Sequence, residues 1–119
     1  MEITKDGTSI CLNIALNYGG RAELTYVMRK IAEKVKNGEI TADMITEQML
    51  SEEMYTAGMP DPDIIIRPSG EQRLSNFLLW QAAYTEFWYS DVLWPDFKPE
   101  DLDKAIADYN NRERRYGGI

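Results

Sequence analysis

A nearly unbroken apolar run near the start of the chain, Ile10-Cys11-Leu12-Asn13-Ile14-Ala15-Leu16, constrains the fold more than any other stretch. Apolar residues without alternation suit a strand covered on both faces, the habit of parallel sheets flanked by helices. Asn17-Tyr18-Gly19-Gly20 breaks the run. Leu24, Val27, Met28, Ile31, Ala32 and Val35 then recur at helical spacing as one apolar stripe, which Asn37-Gly38 stops. Thr41 is placed to cap a second helix reaching residue 50, with Ser51 starting another short one.

Ala57-Gly58-Met59-Pro60-Asp61-Pro62 reads as loop, and Asp63-Ile64-Ile65-Ile66-Arg67 as a short buried strand whose end delivers Arg67 into the next loop. Residues 75–85 lean towards helix, ahead of a strand at Glu86-Phe87-Trp88-Tyr89-Ser90. Trp94-Pro95-Asp96-Phe97 is a turn packed by aromatics. Pro99 suits the first turn of a last helix whose buried stripe is Leu102, Ala105, Ile106 and Tyr109. This order predicts an α/β fold, a partial parallel sheet flanked by helices, in a single domain over residues 1–119.

Composition narrows the chemistry. With Lys+Arg 13 against Asp+Glu 20, the net charge of −7 disfavours a general grip on DNA or RNA, so no nucleic-acid partner is expected. The sequence has no histidine, which excludes Ser-His-Asp and Cys-His catalysis and histidine-built zinc sites. Cys11 is the single cysteine, so no intrachain disulfide forms and a reducing compartment is expected. Without a span-length apolar run or a signal-like N-terminus, the expected location is cytoplasmic. Carboxylates, arginines and a hard cation are left to carry any reaction.

Arg67 and Arg73 flank Pro68-Ser69-Gly70 on a loop leaving the carboxyl end of a predicted strand, where ligands bind in open α/β sheets. Paired guanidinium forks suit phosphate oxygens, Gly70 allows close backbone approach, and Ser75 and Asn76 can donate hydrogen bonds. A surface loop with arginines salt-bridged to Glu71 and its neighbours fits that spacing about equally well. Around Gly19-Gly20, with Asn13, Tyr18, Arg21 and Glu23, a tight structural turn is favoured over a phosphate loop. Glu86 lies in an aromatic run, where a buried carboxylate needs a partner or a cation; an exposed strand-edge glutamate is the plainer reading. The aromatics between Phe77 and Phe97 read as interface first, and as a substrate tunnel second.

Taken together, these residues resemble the cis-prenyltransferase family, of the undecaprenyl diphosphate synthase type. Asn13, Ala15, Tyr18, Gly19, Gly20, Arg21 and Glu23 match one family block, and the stretch from Ile66 to Gln81 matches I-R-x-x-G-E-x-R-x-S-N-F-L-x-W-Q. Tyr84, Glu86, Trp94-Pro95-Asp96-Phe97 and Arg112-Glu113-Arg114-Arg115-Tyr116-Gly117 follow in family order. The resemblance implies that Arg67, Arg73 and Ser75 hold the diphosphate of isopentenyl diphosphate, with Glu71, Asn76 and Arg115 as further contacts. It implies Mg²⁺ as cofactor with Glu86 at its site, and Asn13, Tyr18, Arg21 and Glu23 as scaffold. Pro68 replaces the family's usual threonine, and Gln72 stands where some members carry histidine near the metal.

Residues 1–10 match nothing of the family's N-terminal Asp-Gly-Asn block. The expectation is therefore a C-terminal half, inactive alone, of an enzyme condensing isopentenyl diphosphate onto an allylic diphosphate. A partial sheet leaves an open edge and an uncovered apolar face, so a homodimer built around the aromatic segment Trp80 to Phe97 is expected. Peripheral contact with the membrane surface through a lipid product is a further expectation. The rival expectation is a non-catalytic partner subunit of a cis-prenyltransferase complex.

Overall fold

A computed structural model describes residues 6–112. Helix α1, Gly20–Lys36, buries Val27 and Ile31 against Met54, with Leu24, Ile40, Met49, Leu50 and Trp80 packed around them. Only part of the expected stripe is covered. Met28 and Ala32 are exposed, because among the described residues α1 packs chiefly against α2, Glu47–Glu53, on one side.

The start of α2 corrects the sequence reading. Thr41 leads only a 3-10 helix, Ala42–Met44, and makes no side-chain cap bond. Thr46 is the cap, its hydroxyl accepting from the Met49 N–H at 3.2 Å, and Ser51 lies inside α2 rather than starting another helix. A side-chain cap is worth ~1 kcal/mol, enough to decide between neighbouring threonines.

Glu53, at the end of α2, accepts from Lys30 Nζ at 2.5 Å and from Lys34, tying α2 to α1. These hydrogen bonds, Lys30's first, hold its carboxyl below the usual range. A depressed carboxylate contributes stability above its unfolded pKa and loses it as pH falls through the folded value. Acidification below about pH 4 is thus expected to lower the melting temperature of the chain more steeply than that of Glu53→Gln. Parallel melting curves for the two proteins across the acid range would remove the ion triad from the account.

The sheet has two strands among the described residues. Strands β1, Ile64–Arg67, and β2, Glu86–Tyr89, pair in parallel with Ile64 opposite Glu86 and Arg67 opposite Tyr89. The parallel α/β expectation stands, but residues 10–16 form no strand. Ile10, Leu12, Ile14 and Leu16 are between 69% and 88% exposed. A strand needs a neighbour for its N–H and C=O groups, and no described segment pairs with this one. The expected helix over residues 75–85 is a succession of turns. Ser75, Asn76 and Leu78 take φ of 51°, 65° and 45°, and a right-handed helix cannot run through left-handed residues.

Helix α3, Pro99–Asn110, starts where the Lys98 N–H donates to Asp101 Oδ2 at 3.1 Å. Its buried residues are Asp101 and Ala105, whereas Leu102 and Ile106 are more exposed than the expected stripe requires. Polar bonds seat its last turn on the sheet: Trp88 Nε1 donates to Asp108 at 2.8 Å and Tyr109 Oη to Asp63 at 3.2 Å. No helix among the described residues is long and apolar enough to cross a membrane. Arg115 and the rest of the Arg-Arg-Tyr-Gly element lie outside the described residues.

Candidate functional site

The carboxyl ends of β1 and β2 lie side by side because the strands are parallel and in register. Their last residues, Arg67 and Tyr89, face one hollow of about 150 Å³, together with Arg73, Phe77 and Phe87. The loop after β1 is tied down by its backbone: the Ser69 N–H donates to Val92 O and the Gly70 N–H to Ser90 O, both at 2.8 Å. Gly70 sits at φ 70°, and a Cβ there would come 3.2 Å from Asp91 Oδ1. A tight left-handed turn against a second loop is the position that favours glycine.

Arg67 Nη2 lies 3.4 Å from Ser75 Oγ, and among the described residues this hydroxyl is its only side-chain hydrogen-bond partner. Arg73 is ion-paired with Glu71, on an exposed part of the loop. The chain therefore places both arginines on one hollow and the Ser75 hydroxyl beside the first of them. Such a set can neutralise and hydrogen-bond a small anion, and Glu71 would compete for Arg73. Phe77, Phe87 and Tyr89 supply an apolar wall that the loop spacing did not indicate. The signal lay in the strand register, which sets Tyr89 opposite Arg67.

Asn76 faces away from that hollow's lining, towards α1. Its carbonyl accepts from the Gly20 N–H at 2.7 Å and its Oδ1 from the Arg21 N–H at 2.9 Å. The two glycines make this approach possible. A Cβ on Gly19 would fall 2.7 Å from Asn76 Nδ2, and one on Gly20 would fall 2.8 Å from Leu79 Cγ.

Behind the turn, Glu23 is 1% exposed. It accepts from Tyr18 Oη at 2.5 Å, the Tyr55 N–H at 2.7 Å and Gln81 Nε2 at 3.3 Å. Burial, then the bond to Glu23, pushes the Tyr18 hydroxyl pKa well up, so it stays a donor. The Arg21 side chain is exposed, and its backbone, rather than its guanidinium, is what the turn engages. Asn13 stands apart from the arginines, with Nδ2 3.4 Å from Met59 Sδ, and lines a larger hollow of about 510 Å³ with Tyr18 and Gln81.

Glu86 begins β2, at the opposite end of the strands from Arg67 and Tyr89. Its Oε2 accepts from Arg112 Nη1 at 2.7 Å. Among the described residues no group of three or more His, Cys, Asp or Glu side chains could hold a metal ion. A magnesium ion needs several oxygen ligands, and one carboxylate already satisfied by a guanidinium does not fit it.

Residues 1–117 match the prenyltransferase family model described as undecaprenyl diphosphate synthase. An isoprenyl transferase of Clostridium perfringens is 63% identical over 119 residues, covering 100% of this chain and 47% of that protein. A ditrans,polycis-undecaprenyl-diphosphate synthase ((2E,6E)-farnesyl-diphosphate specific) of Micrococcus luteus is 52% identical over 118 residues, covering 99% of this chain and 47% of the relative. The crystal structure of lavandulyl diphosphate synthase from Lavandula x intermedia, in complex with dimethylallyl diphosphate, superposes with a TM-score of 0.83 at 45% identity. That match covers 87% of this chain and 44% of the other. The chain spans about half the length of the curated relatives it matches.

Proposed function

This chain belongs to the undecaprenyl diphosphate synthase family of prenyltransferases, and we propose that it supplies the isopentenyl diphosphate side of a cis-prenyl condensation. The observation that carries this reading is the shared hollow of Arg67 and Arg73 at the carboxyl end of β1 and β2, with Ser75 beside Arg67. In the proposal both guanidinium groups neutralise the diphosphate oxygens and the Ser75 hydroxyl donates to one of them. An incoming diphosphate draws Arg73 away from Glu71. Phe77, Phe87 and Tyr89 face the isopentenyl carbons.

In the whole protein, this clasp holds isopentenyl diphosphate while the allylic diphosphate loses pyrophosphate. The double bond then attacks the allylic carbon, and loss of a proton completes the new unit. Fixed positive groups aimed at the phosphates are the protein's largest contribution to such a step. The chain acts as one part of the longer family fold, in the cytoplasm at the membrane surface, and pairs as a homodimer through residues 80–97. A magnesium ion in the whole protein would help neutralise the diphosphates, and Glu86 by itself does not hold it.

Calorimetric titration of the chain with isopentenyl diphosphate tests the reading. Saturable binding that inorganic diphosphate displaces is expected. Heats no larger than dilution, with no displaceable component, overturn it.

A further inference from the structure

Helix α1 has no cap of its own: Gly19 stands at its N-cap position and makes no side-chain bond to the first turn. The first N–H groups of a helix need acceptors, and here they come from elsewhere in the chain. Asn76 supplies two of them, its carbonyl to Gly20 and its Oδ1 to Arg21, across a separation of 55 residues for the latter pair. The residue before it, Ser75, carries the hydroxyl beside Arg67. Ser75 and Asn76 are both left-handed, at φ 51° and 65°, a conformation that costs energy away from glycine and holds only where neighbours secure it.

We infer that Asn76 is a positioning residue: it caps α1 from the motif loop, and this cap sets the Ser75 hydroxyl and the Arg67 guanidinium in place for an anion. The inference rests on the proposed diphosphate site and departs from the expectation that Asn76 touches the phosphate itself. A direct contact needs a free amide donor facing the ligand. Instead, Asn76 Nδ2 packs towards Gly19, whose missing Cβ leaves the space for it. Its Oδ1 is an acceptor, which a phosphate cannot use and a helix N-terminus can. Gly19 and Gly20 thereby acquire a role in the site without touching it. They let the loop reach the helix end.

The experiment compares Asn76→Ala, Asn76→Asp and Thr46→Ala with the unaltered chain, using inorganic diphosphate as the probe and amide exchange at Gly20 and Arg21 as the second readout. Asn76→Ala is expected to speed exchange at Arg21 and weaken diphosphate binding about five- to tenfold, the fold-change of one lost cap. Aspartate keeps the accepting oxygen, so Asn76→Asp is expected to retain slow exchange and to bind better than Asn76→Ala. Thr46→Ala, which removes the cap of α2, controls for general loss of stability and is expected to leave diphosphate affinity unchanged. If Asn76→Asp binds no better than Asn76→Ala, or if Asn76→Ala binds as well as the unaltered chain, the positioning role is overturned while the site survives. If the unaltered chain binds no diphosphate, the site reading falls and takes this role with it.

Discussion

Arg67→Ala is expected to weaken diphosphate binding on the order of a hundredfold, since a charge-assisted hydrogen bond contributes ~1.5–3 kcal/mol and a guanidinium can offer a pair of them. Arg67 earns the larger share because its guanidinium has only a weak competitor, the Ser75 hydroxyl at 3.4 Å. Arg73 must first leave Glu71, so its net gain on binding is smaller. The substitution leaves the β1 backbone intact: the Ser90 N–H donates to the Arg67 carbonyl at 3.1 Å, independent of the side chain. A fall in affinity with unchanged circular dichroism is the expected pair of results. Titration of Arg67→Ala that matched the unaltered chain would move the anion site off this hollow.

Glu23→Ala is expected to cost about 3–5 kcal/mol of folding stability, because each buried donor left without an acceptor costs ~1–3 kcal/mol and a cavity adds to it. The donors are the Tyr18 hydroxyl, the Tyr55 N–H and the Gln81 amide. Of the three, Gln81 loses least, because its Nε2 also donates to Thr56 Oγ1 at 2.9 Å, so the cost falls chiefly on the Tyr18 hydroxyl and the Tyr55 N–H. Losing that much removes a large fraction of the stability typical of a small domain. Glu23→Gln keeps the volume and one acceptor oxygen, and a smaller loss is expected from it. Urea unfolding of both variants measures the difference, and a loss for Glu23→Ala below about 1 kcal/mol would mean that water reaches the network.

These two residues differ in how visible they were beforehand. Arg67 stood out in the sequence because an apolar strand ends on it and a second arginine follows in the same loop. Glu23 stood out only as one member of a tight turn and of a family motif, since nothing local marks a helical glutamate as buried. Its burial comes from Tyr18, Tyr55 and Gln81 arriving from three separate stretches of chain. The turns over residues 75–85 misled for a related reason. Serine and leucine seldom adopt left-handed backbone, and Ser75 and Leu78 do so beside an Asn76 anchored to a distant helix end. Thr41 and Thr46 are the same residue type in similar surroundings, and only the formed bond to Met49 separates cap from turn.

The amino-acid sequence alone determined the local elements: the helical stripe of α1, the apolar β1, the proline-started α3, and the ordered motif with its arginines. Those features depend on residues a few positions apart, where backbone preference and side-chain period act directly. Tertiary structure alone decided that residues 10–16 pair with no described strand, that Arg67 and Arg73 open onto one hollow, and that Glu86 meets Arg112 at the far end of the strands. Strand register and a few left-handed torsions set those outcomes. Both are fixed by partners remote in the chain, so local preference cannot encode them.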